Sequence, residues 1–353
     1  MVVLSGKTAE EEEITVGKER YENLDGLRAY ACIGIVMMHI RANGNFGISG
    51  FFYDRMIASF TNFTFLFMLL SAFSMCCGYY ERFKNNSISL EQFYKRRYQR
   101  IWPFFALLCT VELLADRSLT SLYEWFADLT LAFGLLPNAN ISVVGVGWFL
   151  GTIFVFYMIF PFFVFLMGNK KRAWLVMGIT MVLNILCQLY FFDGKHVVAG
   201  FAARTNLIYS SIFFVAGGLI YLYRDQIKNW NKWIIGVVAL AVLILYFAIN
   251  DSVYTLFAMY VIIAIGGIVL SDSVSRSLFQ NRVVRFFAGI SMEIYLCHMF
   301  VYRVIEKMHL LHITGNEILN YIVVCIVTIC GAIVMSFVWK RIITLAEMKL
   351  QKA

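Results

Sequence analysis

Long apolar runs, separated by short clusters of charged residues, fill most of the chain. Most of these runs have the length, about 17 to 25 residues, that an α-helix needs to cross a bilayer. The pattern therefore predicts an all-α fold, a polytopic membrane helix bundle of about ten transmembrane helices with no soluble domain. The predicted spans are residues 24–43, 57–80, 101–115, 148–167, 173–192, 207–223, 233–250, 253–270, 286–305 and 318–338.

An eleventh apolar stretch, Leu122 to Leu136, is shorter and carries Glu124 and Asp128. With the N-terminus inside and this stretch re-entrant or interfacial, 22 of the 30 lysines and arginines lie on the cytoplasmic side. That distribution follows the positive-inside rule, whereas an eleventh full span would place every basic cluster after it outside. We therefore predict one re-entrant or interfacial segment in a multi-pass protein of the plasma (inner) membrane, with both termini in the cytoplasm.

Composition supports this class of protein, because 60% of the residues are apolar and 15% are charged. We predict a cytoplasmic tail over residues 1–22, a membrane domain over residues 23–339 and a second cytoplasmic tail over residues 340–353. The basic residues behind the net charge of +8 lie in short clusters between the apolar segments. It therefore predicts contact with membrane lipid and no nucleic-acid partner. The eight cysteines lack zinc or redox spacing, so we expect packing roles and no metal.

Three ionisable side chains, Asp25, Arg28 and His39, stand in or beside the first predicted span. At about 100° per residue, Arg28 and His39 lie within roughly 20° of one face, about 16 Å apart along the axis. Asp25 falls within about 40° of the same face. Such groups are costly inside a membrane helix, which favours a catalytic or binding role. The alternative is that Asp25 and Arg28 only pair with each other and that His39 has no role.

A basic segment before the third span carries Lys95, Arg96, Arg97 and Arg100. Arg97 and Arg100 share a helical face, and guanidinium groups suit phosphate oxygens such as those of coenzyme A. Topogenic charge that contacts anionic lipid is the alternative.

A second intramembrane histidine, His298, shares a face with Ser291 and Tyr295. Counted from Phe286, it lies about 18 Å along its span, a depth similar to that of His39. The two imidazoles are therefore expected to meet in the outer half of the bundle. A purely structural buried histidine is the alternative for His298.

Taken together, these residues make the chain resemble the acyltransferase-3 family of integral-membrane acyltransferases nearly from end to end. The matching elements are Leu24-Asp25-Gly26-Leu27-Arg28 with His39, Arg97 with Arg100, Trp148/Leu150/Tyr157/Pro161, Gly217-Gly218, and Ile290-Ser291 to Tyr295-Leu296-Cys297-His298. The resemblance implies O-acylation, usually O-acetylation, of cell-surface or exported glycans with acetyl-CoA as donor. It also implies that Arg28 and His39 are needed for activity.

The chain departs from the family pattern at three points. Ile153 stands where many members carry an acid, and Ser71-Ala72 stands where Ser-Gly is common. The additional extracellular domain that some members carry has no counterpart here. Without that acid, Glu112 is the carboxylate that we expect to orient a catalytic histidine, because Glu293 points away from His298.

As an acyltransferase, the protein would bind acetyl-CoA through Arg97 and Arg100, with Arg96 beside them. A continuous cavity would then lead to His39, whose neutral imidazole acts as general base or forms an acyl-imidazole. Arg28 is expected to line this channel or to pair with Asp25. The acceptor, a glycan or lipid-linked sugar, stays open, as does acetyl against another acyl group. Two other hypotheses compete with this one. The protein could transport or export a glycan, or it could be an assembly partner in a glycan-export complex.

Overall fold

The computed structural model describes residues 21–136, 144–197, 201–248, 252–270 and 273–350, and within these ranges the fold is helical with no strand. The predicted N-terminal tail lies outside the described residues except for its last two. The helices are α1 (Glu22–Gly44), α2 (Phe51–Lys84), α3 (Leu90–Ala115), α4 (Leu119–Leu129), α5 (Trp148–Met158), α6 (Phe160–Leu166), α7 (Lys170–Phe191), α8 (Leu207–Ile227), α9 (Lys232–Ala248), α10 (Val253–Val269), α11 (Ser273–Phe279), α12 (Arg282–Gly289), α13 (Ser291–Lys307) and α14 (Glu317–Leu350).

Four helices, α2, α7, α8 and α14, are long and apolar enough to cross a membrane, and two bent helix pairs raise that number to six. Two shorter apolar helices, α9 and α10, cover two more of the predicted spans. The remaining two spans fall in α1 and α3, where charged side chains interrupt the apolar surface. An all-helical membrane bundle is therefore confirmed, and the count of about ten spans stays a prediction.

Two of the predicted spans are bent, each at a break between two helices. The span over 148–167 divides into α5 and α6, which meet at 57°, and Pro161 stands in the first turn of α6. Proline lacks the amide hydrogen that would continue the helix and clashes with the preceding turn. The span over 286–305 divides into α12 and α13, which meet at 74°. The amphipathic α12, with Arg282 and Arg285 beside Val283 and Phe286, is typical of an interfacial helix.

The stretch after the third predicted span forms α4, which packs against α3. Its 11 residues extend about 16 Å, which is about half of the apolar thickness of a bilayer. Leu119, Tyr123 and Phe126 are exposed on one face, whereas Asp128 is buried and accepts a hydrogen bond from the Cys109 thiol. This short amphipathic helix agrees with the prediction that the stretch is not a full span.

Contacts among the helix ends gather several basic clusters at the end of the bundle where α1 begins. The Lys228 ammonium lies 5.4 Å from the centre of the Tyr21 ring, and Arg285 pairs with Glu22 at 3.2 Å. The hydroxyl of Tyr80, near the end of α2, donates to the carbonyl of Met167 at 3.0 Å. We call this end of the bundle the inner end, because the predicted cytoplasmic clusters meet there.

The packing of α8 against α2 depends on a glycine. A Cβ atom at Gly217 would collide with the backbone carbonyl of Leu69 and would lie 2.8 Å from the Cβ of Ala72. The two helices therefore approach more closely than any side chain at this position would permit. Small residues at such crossings are typical of helix packing in membranes.

We expect Gly217→Ala to lower the free energy of unfolding by about 1–3 kcal/mol, because the added methyl group overpacks a backbone contact. A thiol-reactive dye in detergent would report this as a lower melting temperature through exposure of the buried cysteines. Gly236→Ala is the matched control, because no atom lies within 4 Å of a Cβ at that position in α9. Equal melting temperatures for the two variants would contradict the close α2–α8 contact.

Candidate active site

Two histidines from distant parts of the chain meet between α1 and α13. Nε2 of His298 lies 3.0 Å from Nδ1 of His39, and the ring centres are 5.0 Å apart. His298 is fully buried, whereas His39 is half-buried. The expectation that the two imidazoles meet is therefore confirmed, although α13 begins at Ser291 and not at Phe286 as the depth estimate assumed.

Backbone carbonyls determine the hydrogen-bonding state of this histidine pair. Nδ1 of His298 lies 2.7 Å from the carbonyl oxygen of Tyr295 and 3.2 Å from that of Ile294. Because a carbonyl only accepts, Nδ1 carries the proton, and Nε2 of the neutral ring accepts from Nδ1–H of His39. Nε2 of His39 is then left with its lone pair and has no partner among the described side chains. This arrangement prepares His39 as a base, with His298 as the residue that orients it.

Three aromatic rings separate the histidine pair from the inner half of the bundle. Phe67, Phe149 and Tyr295 form a triangle with ring centres 5.6 to 6.4 Å apart. Tyr295 also lies beside His298, with ring centres 6.1 Å apart, and its hydroxyl donates to the carbonyl of Val146 at 2.7 Å. We call these three rings the aromatic barrier.

A cavity of about 670 Å³ extends from the inner end to the aromatic barrier. Its volume is typical of a small-molecule site. Both charged and apolar side chains line it, and those used below are Asp25, Arg28, Arg97, Arg100, Tyr157 and Tyr295.

Arg97 on α3 is held between aromatic rings at the side of this cavity. Its guanidinium lies 4.9 Å from the centre of the Tyr79 ring and 5.9 Å from that of Tyr157. One amino group donates to the Tyr79 hydroxyl at 2.7 Å, and the buried Nε has no hydrogen-bond partner in the described part of the chain. Neither Arg97 nor Arg100 is ion-paired with any described carboxylate. Two cations without counter-charge facing one cavity indicate an anionic ligand.

Arg28, in contrast, is fully engaged with protein groups. It pairs with Asp25 at 2.8 Å, and it donates to the Leu70 carbonyl at 2.6 Å and to the Ser74 hydroxyl at 2.5 Å. These bonds tie α1 to α2 along the wall of the cavity. Arg28 was expected to line the donor channel or to pair with Asp25, and the structure shows the pair and places Arg28 in the wall of the cavity. Both side chains lie far from the histidine pair.

The expected continuous cavity to His39 is not present, because neither histidine lines the cavity and the aromatic barrier closes its outer end. The interpretation of Arg96 is also corrected, since Arg96 does not line the cavity. It lies about 100° around α3 from Arg97 and one turn nearer the inner end than Arg100.

Glu112 does not orient either histidine, so the expectation that it would do so in place of the missing acid is wrong. Its carboxylate pairs with Arg303 at 2.7 Å across α3 and α13. Ile153 lines the cavity as an apolar residue. Within the described residues, the side chain that hydrogen-bonds to the His39 ring is therefore that of His298 and not a carboxylate.

Sequence reasoning missed Arg204, which it assigned to an outer loop. The structure places Arg204 in a 3₁₀ turn, Ala203–Thr205, immediately before α8. Its guanidinium lies 5.5 Å from the centre of the Trp148 ring and donates to the Thr61 hydroxyl. The Trp148 ring lies 6.0 Å from the ring of Phe149 in the aromatic barrier. The Tyr295 hydroxyl donates to the carbonyl of Val146, two residues before Trp148, so this cation lies near the barrier and the ring beside His298. No spacing in the sequence signals this proximity.

Metal and disulfide chemistry find no support among the described residues. No group of three or more histidine, cysteine, aspartate or glutamate side chains there is arranged to hold a metal ion. All eight cysteines are free thiols, most of them buried.

Comparison with known proteins identifies the family of the chain. A family model described as an acyltransferase domain matches residues 21–337, and the chain therefore belongs to the acyltransferase-3 family. The protein is accordingly a membrane acyltransferase. Among curated proteins and solved structures, no match to the chain was found.

We expect His39 and His298 to act as one unit. His39→Ala should lower acyl transfer by about 10²–10⁴-fold, because it removes the base. His298→Ala should cost at least about tenfold, because Nδ1–H of His39 loses its acceptor, and the double variant should be no slower than His39→Ala. Thiol release from acetyl-CoA, the donor expected from the sequence, measures these rates.

His196→Ala is the matched control for this cycle, because His196 is an exposed histidine that pairs with Asp193 away from the site. It should retain the activity of the unmodified protein. Multiplicative losses in the double variant would contradict the coupling of His39 and His298.

Proposed function

We propose that this protein transfers an acyl group, preferably acetyl, from acyl-CoA to a hydroxyl group of a cell-surface or exported glycan or of a lipid-linked sugar. The observation that carries the proposal is the cavity that begins between Arg97 and Arg100 and ends at Tyr295, the ring beside His298. A donor with a charged head and a long, thin, reactive arm matches the shape and polarity of that cavity.

Coenzyme A fits the inner part of the cavity for three reasons. Its phosphate groups suit the two arginines that lack carboxylate partners. Its adenine ring can stack on the aromatic rings that hold Arg97, such as Tyr79 and Tyr157. The pantetheine arm is uncharged over most of its length and suits the more apolar outer part of the cavity.

The acyl thioester would reach His39 only if the aromatic barrier opens. Phe67, Phe149 and Tyr295 pack by ring contacts, and the barrier has one hydrogen bond, from Tyr295 to Val146. Side-chain rotation can therefore open a path without breaking a helix. Nε2 of His39 would then take the proton of the acceptor hydroxyl as the hydroxyl oxygen attacks the thioester carbonyl.

Because the arginine-lined part of the cavity lies at the inner end, the proposal places that end in the cytoplasm, where acyl-CoA is made, and the bundle in the plasma membrane. Both termini would lie on that side. The basic groups near Tyr21 and Glu22 agree with the positive-inside rule. The acceptor would approach the histidine pair from the opposite side, where Arg204 and Trp148 lie.

We expect Arg97→Ala and Arg100→Ala each to weaken acetyl-CoA binding by about 10- to 100-fold, because each removes charge-assisted hydrogen bonds to phosphate. Equilibrium binding of radiolabelled acetyl-CoA to the purified protein in lipid nanodiscs measures the effect. Arg96→Ala is the matched control, since this neighbouring arginine on α3 does not line the cavity. Equal losses in all three variants would indicate non-specific charge and contradict the assignment.

The proposed acceptor class is tested in the organism that makes the protein. Deleting the gene, or introducing His39→Ala, should remove base-labile acetyl esters from surface or exported glycans, because acyl transfer stops while glycan synthesis continues. Mass analysis of the glycans before and after mild alkali measures the loss. An unchanged ester content in both strains, with His39→Ala protein present at normal levels, would exclude this function.

A further inference from the structure

Arg204 is a half-buried cation near the outer end of the bundle, on the opposite side of the aromatic barrier from Arg97 and Arg100. Its guanidinium is fixed by the Thr61 hydroxyl and by the face of the Trp148 ring. Both partners belong to helices of the bundle, α2 and α5. The cation is therefore held in one position before any substrate arrives.

No carboxylate compensates this charge within the described residues. Arg28, Arg41 and Arg303 each pair with an aspartate or glutamate. Arg204 forms no such pair, and its buried Nε has no hydrogen-bond partner among the residues that the structure describes. A half-buried cation without a counter-charge is costly, which indicates that a negative charge forms or binds there during function.

The surroundings of His39 contain few other donors for a negative oxygen. The Tyr295 hydroxyl has one proton, and it donates that proton to the Val146 carbonyl. His298 donates from Nδ1 to backbone carbonyls and accepts at Nε2 from His39. Nε2 of His39 carries a lone pair. Arg204 lies against the ring of Trp148, two residues after that Val146 carbonyl, and remains as the cation suited to stabilise an anion.

Resting on the proposed function, we propose that Arg204 is a catalytic residue that stabilises the oxyanion of the tetrahedral intermediate. The acceptor oxygen bonds to the thioester carbonyl carbon, its proton passes to Nε2 of His39, and the carbonyl π electrons move to the oxygen, which becomes an oxyanion facing Arg204. When this oxyanion collapses, the C–S bond breaks. The leaving thiolate takes the proton from His39, so the products are an acyl ester and coenzyme A.

The test uses water as acceptor, so that the natural glycan is not needed. The purified protein in lipid nanodiscs is supplied with acetyl-CoA, and hydrolysis to acetate and coenzyme A is followed by thiol release. Arg204→Gln should lower kcat by about 10²–10³-fold, the effect of removing one oxyanion donor. KM and the dissociation constant for acetyl-CoA should change less than about threefold, because Arg97 and Arg100 hold the donor. Arg204→Lys, which keeps the charge, should recover part of the rate.

Arg117→Gln is the matched control, because this exposed arginine bonds to the Leu114 carbonyl outside the site. It should leave kcat unchanged. Normal hydrolysis by Arg204→Gln, with glycan acetylation lost, would show that Arg204 binds the acceptor and would overturn the proposal. A lower melting temperature together with lost acetyl-CoA binding in both Arg204 variants would show a structural role and also overturn it.

Failure of the proposed function gives a different result. In that case the unmodified protein neither binds nor hydrolyses acetyl-CoA, and the oxyanion proposal falls with it. If the unmodified protein binds and hydrolyses acetyl-CoA and Arg204→Gln leaves kcat unchanged, only the oxyanion proposal is overturned.

Discussion

The hydrogen bond between His39 and His298 depends on backbone carbonyls that fix which nitrogen of His298 carries the proton. Two carbonyls of α13 accept from Nδ1 of His298, which leaves Nε2 of that ring free to accept from His39. While both rings are neutral, the proton position on His39 thus follows from the main-chain groups that hold Nδ1–H of His298. A carboxylate in the place of His298 would bring a negative charge into the apolar interior, whereas an imidazole orients its partner without one. His298 thus gives His39 an uncharged hydrogen-bond partner although Ile153 stands where an acid is common in the family.

The sequence pattern predicted which helix faces carry ionisable side chains, and the structure brings His39 to His298 and pairs Arg28 with Asp25. Helical periodicity determines azimuth, so residues on one stripe can be recognised without a structure. Depth is a different quantity, because it requires knowing where a helix begins. The break between Gly289 and Ser291 made the depth estimate for His298 wrong, although the meeting of the imidazoles was predicted correctly.

Contacts between distant segments could not be predicted from spacing. Glu112 was expected near a histidine because of its depth in α3, but it pairs with Arg303, 191 positions further along the chain. Arg204 looked like an ordinary loop cation, and its partners Thr61 and Trp148 lie 143 and 56 positions before it. Both cases depend on how helices pack side by side, and that packing is decided by small residues such as Gly217, which local patterns do not connect with a site.

The aromatic barrier separates the cations at the inner end of the bundle from the cation at its outer end, which an open channel would not do. Inner arginines and the outer arginine lie on opposite sides of Phe67, Phe149 and Tyr295, so a phosphate group attracted to the inner end has no polar path to Arg204. An uncharged thioester arm, in contrast, loses little on passing between aromatic rings. If the proposed function is right, the part of the donor that passes these rings must therefore be apolar, which the acyl-bearing arm of an acyl-CoA is.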